Sequence, residues 1–133
     1  MESLLAAHPK SSLRVGWTLS GLFTAFMLFD SIIKLIKIEP VVQAFNELGY
    51  PDSLARTIGF MELAIAILYA LPRTAVFGAV LAMGVLGGAV ASHARLGDPL
   101  FSHTLFGVYL GLFAWGGLWL RDARLRTLMP WRN

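Results

Sequence analysis

Four long apolar runs follow one another along this chain, and they set its solvent as the hydrocarbon interior of a bilayer. A spanning helix needs about 20 mostly apolar residues, because each residue advances about 1.5 Å and about 30 Å must be crossed. The runs cover residues 15–33, 54–71, 74–94 and 99–120. Asp30 alone interrupts the first, whereas Arg56 and Glu62 fall inside the second and make it the least apolar. The third and fourth contain no Asp, Glu, Lys or Arg, and the fourth carries a single imidazole, His103, near its start. The expected fold is all-α: an integral membrane antiparallel four-helix bundle, with an N-terminal cytoplasmic segment 1–14, a transmembrane domain 15–120 and a basic cytoplasmic tail 121–133. A cleaved signal peptide does not suit the first run, which is long, lacks a small-residue cleavage site and ends in Asp30 and Lys34.

Helix punctuation fits these spans. Asp98 reads as an N-cap with Pro99 at the first helical position, Asp52 or Ser53 as the cap of the second span, and Thr74 as the cap of the third. Only the connection after the first span is long. Within it, residues 40–48 place Val41, Phe45 and Leu48 on one face, and Gly49-Tyr50-Pro51 ends the run. That pattern predicts a short amphipathic helix, lying on the membrane surface or folded back over the bundle mouth.

Composition excludes several functions. With 56% apolar and 14% charged residues the chain falls outside the soluble balance. The absence of cysteine rules out disulfide scaffolds, thiolate metal sites and dithiol redox chemistry. A redox role would therefore use a borrowed cofactor, such as a quinone supplied by the membrane. The net charge of +3 is divided between loops and tail, with no basic stripe for nucleic acid. With four spans, both termini share one side. That side holds Lys10, Arg14, Arg73, Arg121, Arg124, Arg126 and Arg132, against Lys34, Lys37, Arg56 and Arg95 opposite. Seven against four predicts cytoplasmic termini, in a bacterial inner (plasma) membrane. Trp17, Trp115, Trp119 and Trp131 map to the same terminal side, as an interfacial belt would.

Alternating helix directions bring Asp30, Lys34, Glu62, His93, Arg95 and His103 to the opposite, non-cytoplasmic end. Ionisable groups at membrane depth are costly and face one another or a wet cavity, so these six are the candidate ligand-binding residues. Asp30 and Lys34 form a favourable acid-before-base pair four residues apart. Glu62 shares a face with Gly59, Ala66 and Tyr69 and needs a partner, for which Arg95 or His103 is the candidate. His103 shares a face with Gly107 and Gly111 and is expected to point into the bundle. Gly84, Gly88 and Arg95 fall within about 40° of one another and predict a close-packing seam, with His93 on the opposite face. Phe23, Phe26 and Phe106 are the expected apolar walls of a pocket for an amphipathic molecule such as a quinone, sterol or lipid headgroup. No His-x-x-x-His or Glu-x-x-His pair supports a metal site, and no nucleophile elbow or phosphate-cradling loop is present.

Several phrases in order carry a family resemblance. They are Leu48-Gly49-Tyr50-Pro51, Pro72-Arg73-Thr74, Gly87-Gly88-Ala89-Val90-Ala91 followed by His93 and Arg95, Gly97-Asp98-Pro99-Leu100-Phe101-Ser102-His103, and Trp115-Gly116-Gly117-Leu118-Trp119-Leu120-Arg121-Asp122. From about Val15 to Arg126 the chain resembles the DoxX-like small membrane proteins. The resemblance implies a four-helix membrane bundle. About activity it implies little: the family's namesake is a small membrane subunit of a thiosulfate:quinone oxidoreductase, and no catalytic residue carries over from it. The cysteine that relatives often place near the second helix is missing here, so a thiol-dependent role does not transfer. The expected function is binding of a small amphipathic or quinone-like molecule, alone or as a subunit of a membrane oxidoreductase. In it Glu62 is the hydrogen-bonding or proton-exchanging group, His103 its polar partner, Arg95 an anion or carbonyl anchor, and Asp30 with Lys34 a gate. The alternatives are an accessory protein held to a larger partner, or to a second copy of itself, through glycine-rich helices, and a stand-alone isomerase using Glu62 and His103 as acid and base.

Overall fold

The computed structural model describes residues 10–132, so residues 1–9 of the expected N-terminal segment lie outside the described part. The chain is all-α, with no strand among the described residues. Helix α1 runs Lys10–Ile36 and presents one buried stripe, Gly16, Ser20, Phe23, Met27 and Ser31, at the three-and-four spacing of a helix face. Lys37 turns the chain with a positive φ of 53°. Helix α2, Glu39–Leu48, starts with proline in its first turn and stops at Gly49, whose φ of 82° is the left-handed conformation that terminates helices. Val41 and Phe45 are buried against Ala55, with Ile33, Tyr50 and Ile58 around them. The amphipathic helix is therefore folded back onto the protein, where it packs on both of the next two helices.

Helix α3 is Leu54–Ala70 and α4 is Ala75–Leu96. A π-helical turn at Leu100–Thr104 leads into α5, Phe106–Arg121, and a last short helix α6 covers Ala123–Leu128. Three stretches, Lys10–Ile36, Ala75–Leu96 and Leu100–Arg121, are long and apolar enough to cross a membrane. At 17 residues α3 sits at the lower end of the range that spans a bilayer, about 17–25 residues.

Helices α1 and α4 each pack against both α3 and α5. Phe23, Met27, Ile65, Ala66, Tyr69, Ala79, Ala82, Leu86, Ala114 and Leu118 fill the space between them. Large apolar side chains also face outward: Phe29, Phe60, Phe77 and Leu112 are each more than half exposed. An outer belt of this kind is unfavourable in water and suited to lipid. Without a hydrophobic force between helices in lipid, close backbone approach supplies the packing, and small residues permit it. A methyl group at Gly107 would stand 2.9 Å from the Leu86 carbonyl oxygen, and one at Gly117 would collide with Ser20 and the Gly16 carbonyl.

The expected caps are replaced by other contacts. Ser53 and Thr74 make no side-chain cap hydrogen bond, and the Thr74 hydroxyl donates to the Leu68 carbonyl instead. The Asp52 carboxylate lies 3.6 Å from Lys37 Nζ. Asp98 is not an N-cap either, because its carboxylate is taken by His93 and the helix after Pro99 opens with the π turn.

Candidate functional site

The six candidate residues lie in three local groups. The first joins α1 to α3. One turn separates Asp30 from Lys34, and Lys34 Nζ donates to Asp30 Oδ2 at 2.6 Å and to Glu62 Oε1 at 2.6 Å. The meeting depends on Gly59, one turn before Glu62: a Cβ there would stand 3.1 Å from both the Lys34 Cβ and the Ser31 carbonyl oxygen. The two backbones can therefore close until the lysine bridges both carboxylates. Glu62 is 3% exposed, and its Oε2 is buried with no hydrogen-bond partner among the described residues. Buried polar atoms are nearly always paired, so an open carboxylate oxygen beside a lysine is the notable feature of this end. Lys34 carries three N–H donors and spends two on these bonds.

The second group links the end of α4 to the π turn. His93 Nδ1 lies 2.6 Å from Asp98 Oδ2, His103 Nδ1 lies 2.8 Å from Ser102 Oγ, and the two imidazole rings meet edge to face at 5.9 Å. No trio of His, Asp or Glu among the described residues is placed to hold a metal ion. In the third group Arg95 donates to the Leu48 carbonyl, and its guanidinium lies 5.9 Å from the Tyr50 ring centroid. The Tyr50 hydroxyl pairs with Ser92 Oγ at 2.8 Å, so α4 holds the α2–α3 loop at two points.

Several sequence expectations are corrected here. Glu62 takes Lys34 as its partner, and neither Arg95 nor His103, because Arg95 is committed to the loop and His103 to Ser102. His103 is exposed, and Thr104 takes the inward position on the Gly107 and Gly111 face. The π turn explains this, since its wider winding rotates residues before Leu105 away from the register of α5. Among the described residues nothing fills the Gly84 and Gly88 seam, for a Cβ at either would meet no atom of them within 4 Å. Phe23 is fully buried against Tyr69, ring centroids 4.7 Å apart, and so belongs to the core; Phe26 and Phe106 do pair, at 5.2 Å.

Sequence reasoning did not find Gly59 as the contact that sets the register, nor Tyr50 and Ser92 as a hydrogen-bonded pair. It also missed a polar chain at the other end. There Arg121 Nε donates to Ser20 Oγ at 3.1 Å, Ser20 pairs with the Tyr69 hydroxyl at 2.8 Å, and Tyr69 donates to the Ala114 carbonyl at 2.7 Å. Its one signal in the sequence was Tyr69 on the same helix face as Glu62.

An apolar outer surface, three span-length helices and an internal ion cluster define a small multi-pass integral membrane protein. The chain belongs to the DoxX-like family, whose model matches residues 18–117 and so includes all six candidate residues. No curated protein and no solved structure matches it.

Proposed function

We propose that the chain is an antiparallel four-span bundle that binds a small amphipathic, quinone-like molecule at the end where Lys34 meets Glu62, alone or as a subunit of a membrane oxidoreductase. Support for the bundle comes from the paired contacts. Early α1 meets late α3 through Ser20 and Tyr69, and late α1 meets early α3 through Lys34 and Glu62. In the same sense Gly16 adjoins Gly117, and Phe26 adjoins Phe106. The four-against-seven distribution of basic residues favours termini on the cytoplasmic side.

The observation that carries the binding reading is the buried Oε2 of Glu62, which has no hydrogen-bond partner among the described residues. A quinol hydroxyl would donate to it, and the remaining Lys34 N–H would donate to the oxygen of that hydroxyl or of a ring methoxy group. The quinone would bring the redox chemistry, while the chain would orient the ring and match its polar edge. Loss of a charge-assisted hydrogen bond lowers affinity about tenfold or more. Titration of ubiquinol-1, kept reduced under anaerobic conditions, into the protein in nanodiscs, followed by calorimetry, should give saturable binding that weakens by this factor in Glu62→Gln. Absence of saturable binding, or equal affinity in the variant with an unchanged melting curve, would reject the reading.

One observation favours a second reading, an accessory protein packed on another membrane protein: the α4 face at Gly84, Gly87 and Gly88 is open. That reading expects a partner to co-purify with the protein and to be lost in Gly84→Leu.

A further inference from the structure

At the terminal end, opposite the Lys34–Glu62 cluster, a cavity of about 370 Å³ is lined by Trp17, Pro72, Val76, Leu118, Arg121 and Arg124, among others. Its volume lies in the range of small-molecule sites, roughly 300–1,000 Å³. Arg121 is held there by a directed chain of hydrogen bonds. The single Tyr69 proton goes to the Ala114 carbonyl, so the Ser20 hydroxyl must donate to Tyr69 and is left to accept from Arg121 Nε. The Arg121 guanidinium also stacks on Trp17, 4.0 Å from the ring centroid. One nitrogen and one face of the group are thereby used. The guanidinium also lies 5.9 Å from the Tyr69 ring centroid, so Trp17, Ser20 and Tyr69 together fix it at the cavity wall. Arg124 lines the same cavity; its Nε lies 3.3 Å from Asp122 Oδ1, and its side chain is 69% exposed. Asp122 lines the same cavity, and its Oδ1 accepts from both the backbone N–H and the Nε of Arg124.

A preoriented guanidinium, a second arginine and an apolar wall of tryptophan, proline and valine make a mixed recognition surface. The guanidinium matches phosphate oxygens, and the apolar wall matches the first methylenes of an acyl chain. We infer that this cavity binds the phosphate headgroup of an anionic phospholipid, with Arg121 as the principal contact and Arg124 as the auxiliary one. The charge complementarity selects an anionic lipid over a zwitterionic one, and the aromatic belt places the cavity at headgroup depth.

Native mass spectrometry of the full-length protein, with phosphatidylglycerol or phosphatidylcholine added to the detergent, tests this. Phosphatidylglycerol should be retained in preference to phosphatidylcholine. Arg121→Gln and Arg124→Gln should each reduce its retention about fivefold, the contribution of one basic residue near an anionic surface. Arg124 is exposed, so its variant folds whatever becomes of Arg121→Gln, and Val76→Trp, which fills the cavity without altering charge, should also displace the lipid. Equal retention of the two lipids, or retention unaffected by both Arg124→Gln and Val76→Trp, overturns the inference. Displacement of phosphatidylglycerol by millimolar inorganic phosphate overturns the lipid assignment, since a free anion would then suffice.

Discussion

Replacement of Lys34 by methionine tests the physics of the ion cluster most sharply. The Lys34 side chain is 17% exposed and that of Glu62 is 5% exposed, so both sit in a medium that screens charge poorly. In Lys34→Met, Glu62 loses the partner of Oε1 while Oε2 already has none, and Asp30 remains as a like charge close by. Removing one member of a buried pair costs about 3–5 kcal/mol, whereas replacing both by apolar groups is often nearly neutral. Lys34→Met should therefore lose about 3–5 kcal/mol, and Lys34→Met combined with Glu62→Leu should recover most of it. The double-mutant cycle should give a coupling of about 3 kcal/mol. Equilibrium unfolding by SDS in mixed micelles, followed by helicity, measures these values. A single variant within about 1 kcal/mol of the parent, or strict additivity of the two changes, would refute the reasoning.

The other predictions concern packing and the loop. Gly59→Leu should cost about 1–3 kcal/mol by forcing α3 away from Ser31 and Lys34, whereas Gly84→Leu, on an open face, should stay within about 0.5 kcal/mol in the same assay. Phe45→Ala should lose about 3 kcal/mol and open the contact of α2 with Ala55, seen as faster amide exchange across residues 39–48; protection equal to the parent would count against that packing. Arg95→Gln should speed exchange at Gly49 and Tyr50 while leaving α1 unchanged, because its contacts are the Leu48 carbonyl and the Tyr50 ring.

Sequence was informative where local periodicity decides the outcome. Long apolar runs announced the membrane helices, and the alternation in residues 40–48 announced α2 with Val41 and Phe45 inward. The four-residue spacing of Asp30 and Lys34, and the face shared by Gly59, Glu62, Ala66 and Tyr69, were likewise legible. The union of Lys34 with Glu62 was not, because it depends on how far α3 slides along α1. That register is set by Gly59 against the Ser31 carbonyl, a contact 28 residues apart. His103 was misplaced for a different reason. A π turn changes the winding by a fraction of a turn, so residues on its two sides no longer follow the four-residue spacing that joins His103 to Gly107 on paper. Phe23 points inward, as a pocket wall would, but it lies in the core, because depth along the helix is not encoded in angular position.

The arrangement as a whole rests on α3, at 17 residues shorter than each of the three span-length stretches, crossing the membrane in spite of Arg56 and Glu62. The chain contains no cysteine, so single cysteines can be read without background. Cysteines placed singly at Ser11, Gln43, Arg73, Ser102 and Arg132, all exposed, can be labelled with a membrane-impermeant maleimide in intact and opened cells. The account predicts that positions 11, 73 and 132 label only after opening, while 43 and 102 label in intact cells. Labelling of 43 and 73 from the same side would contradict it.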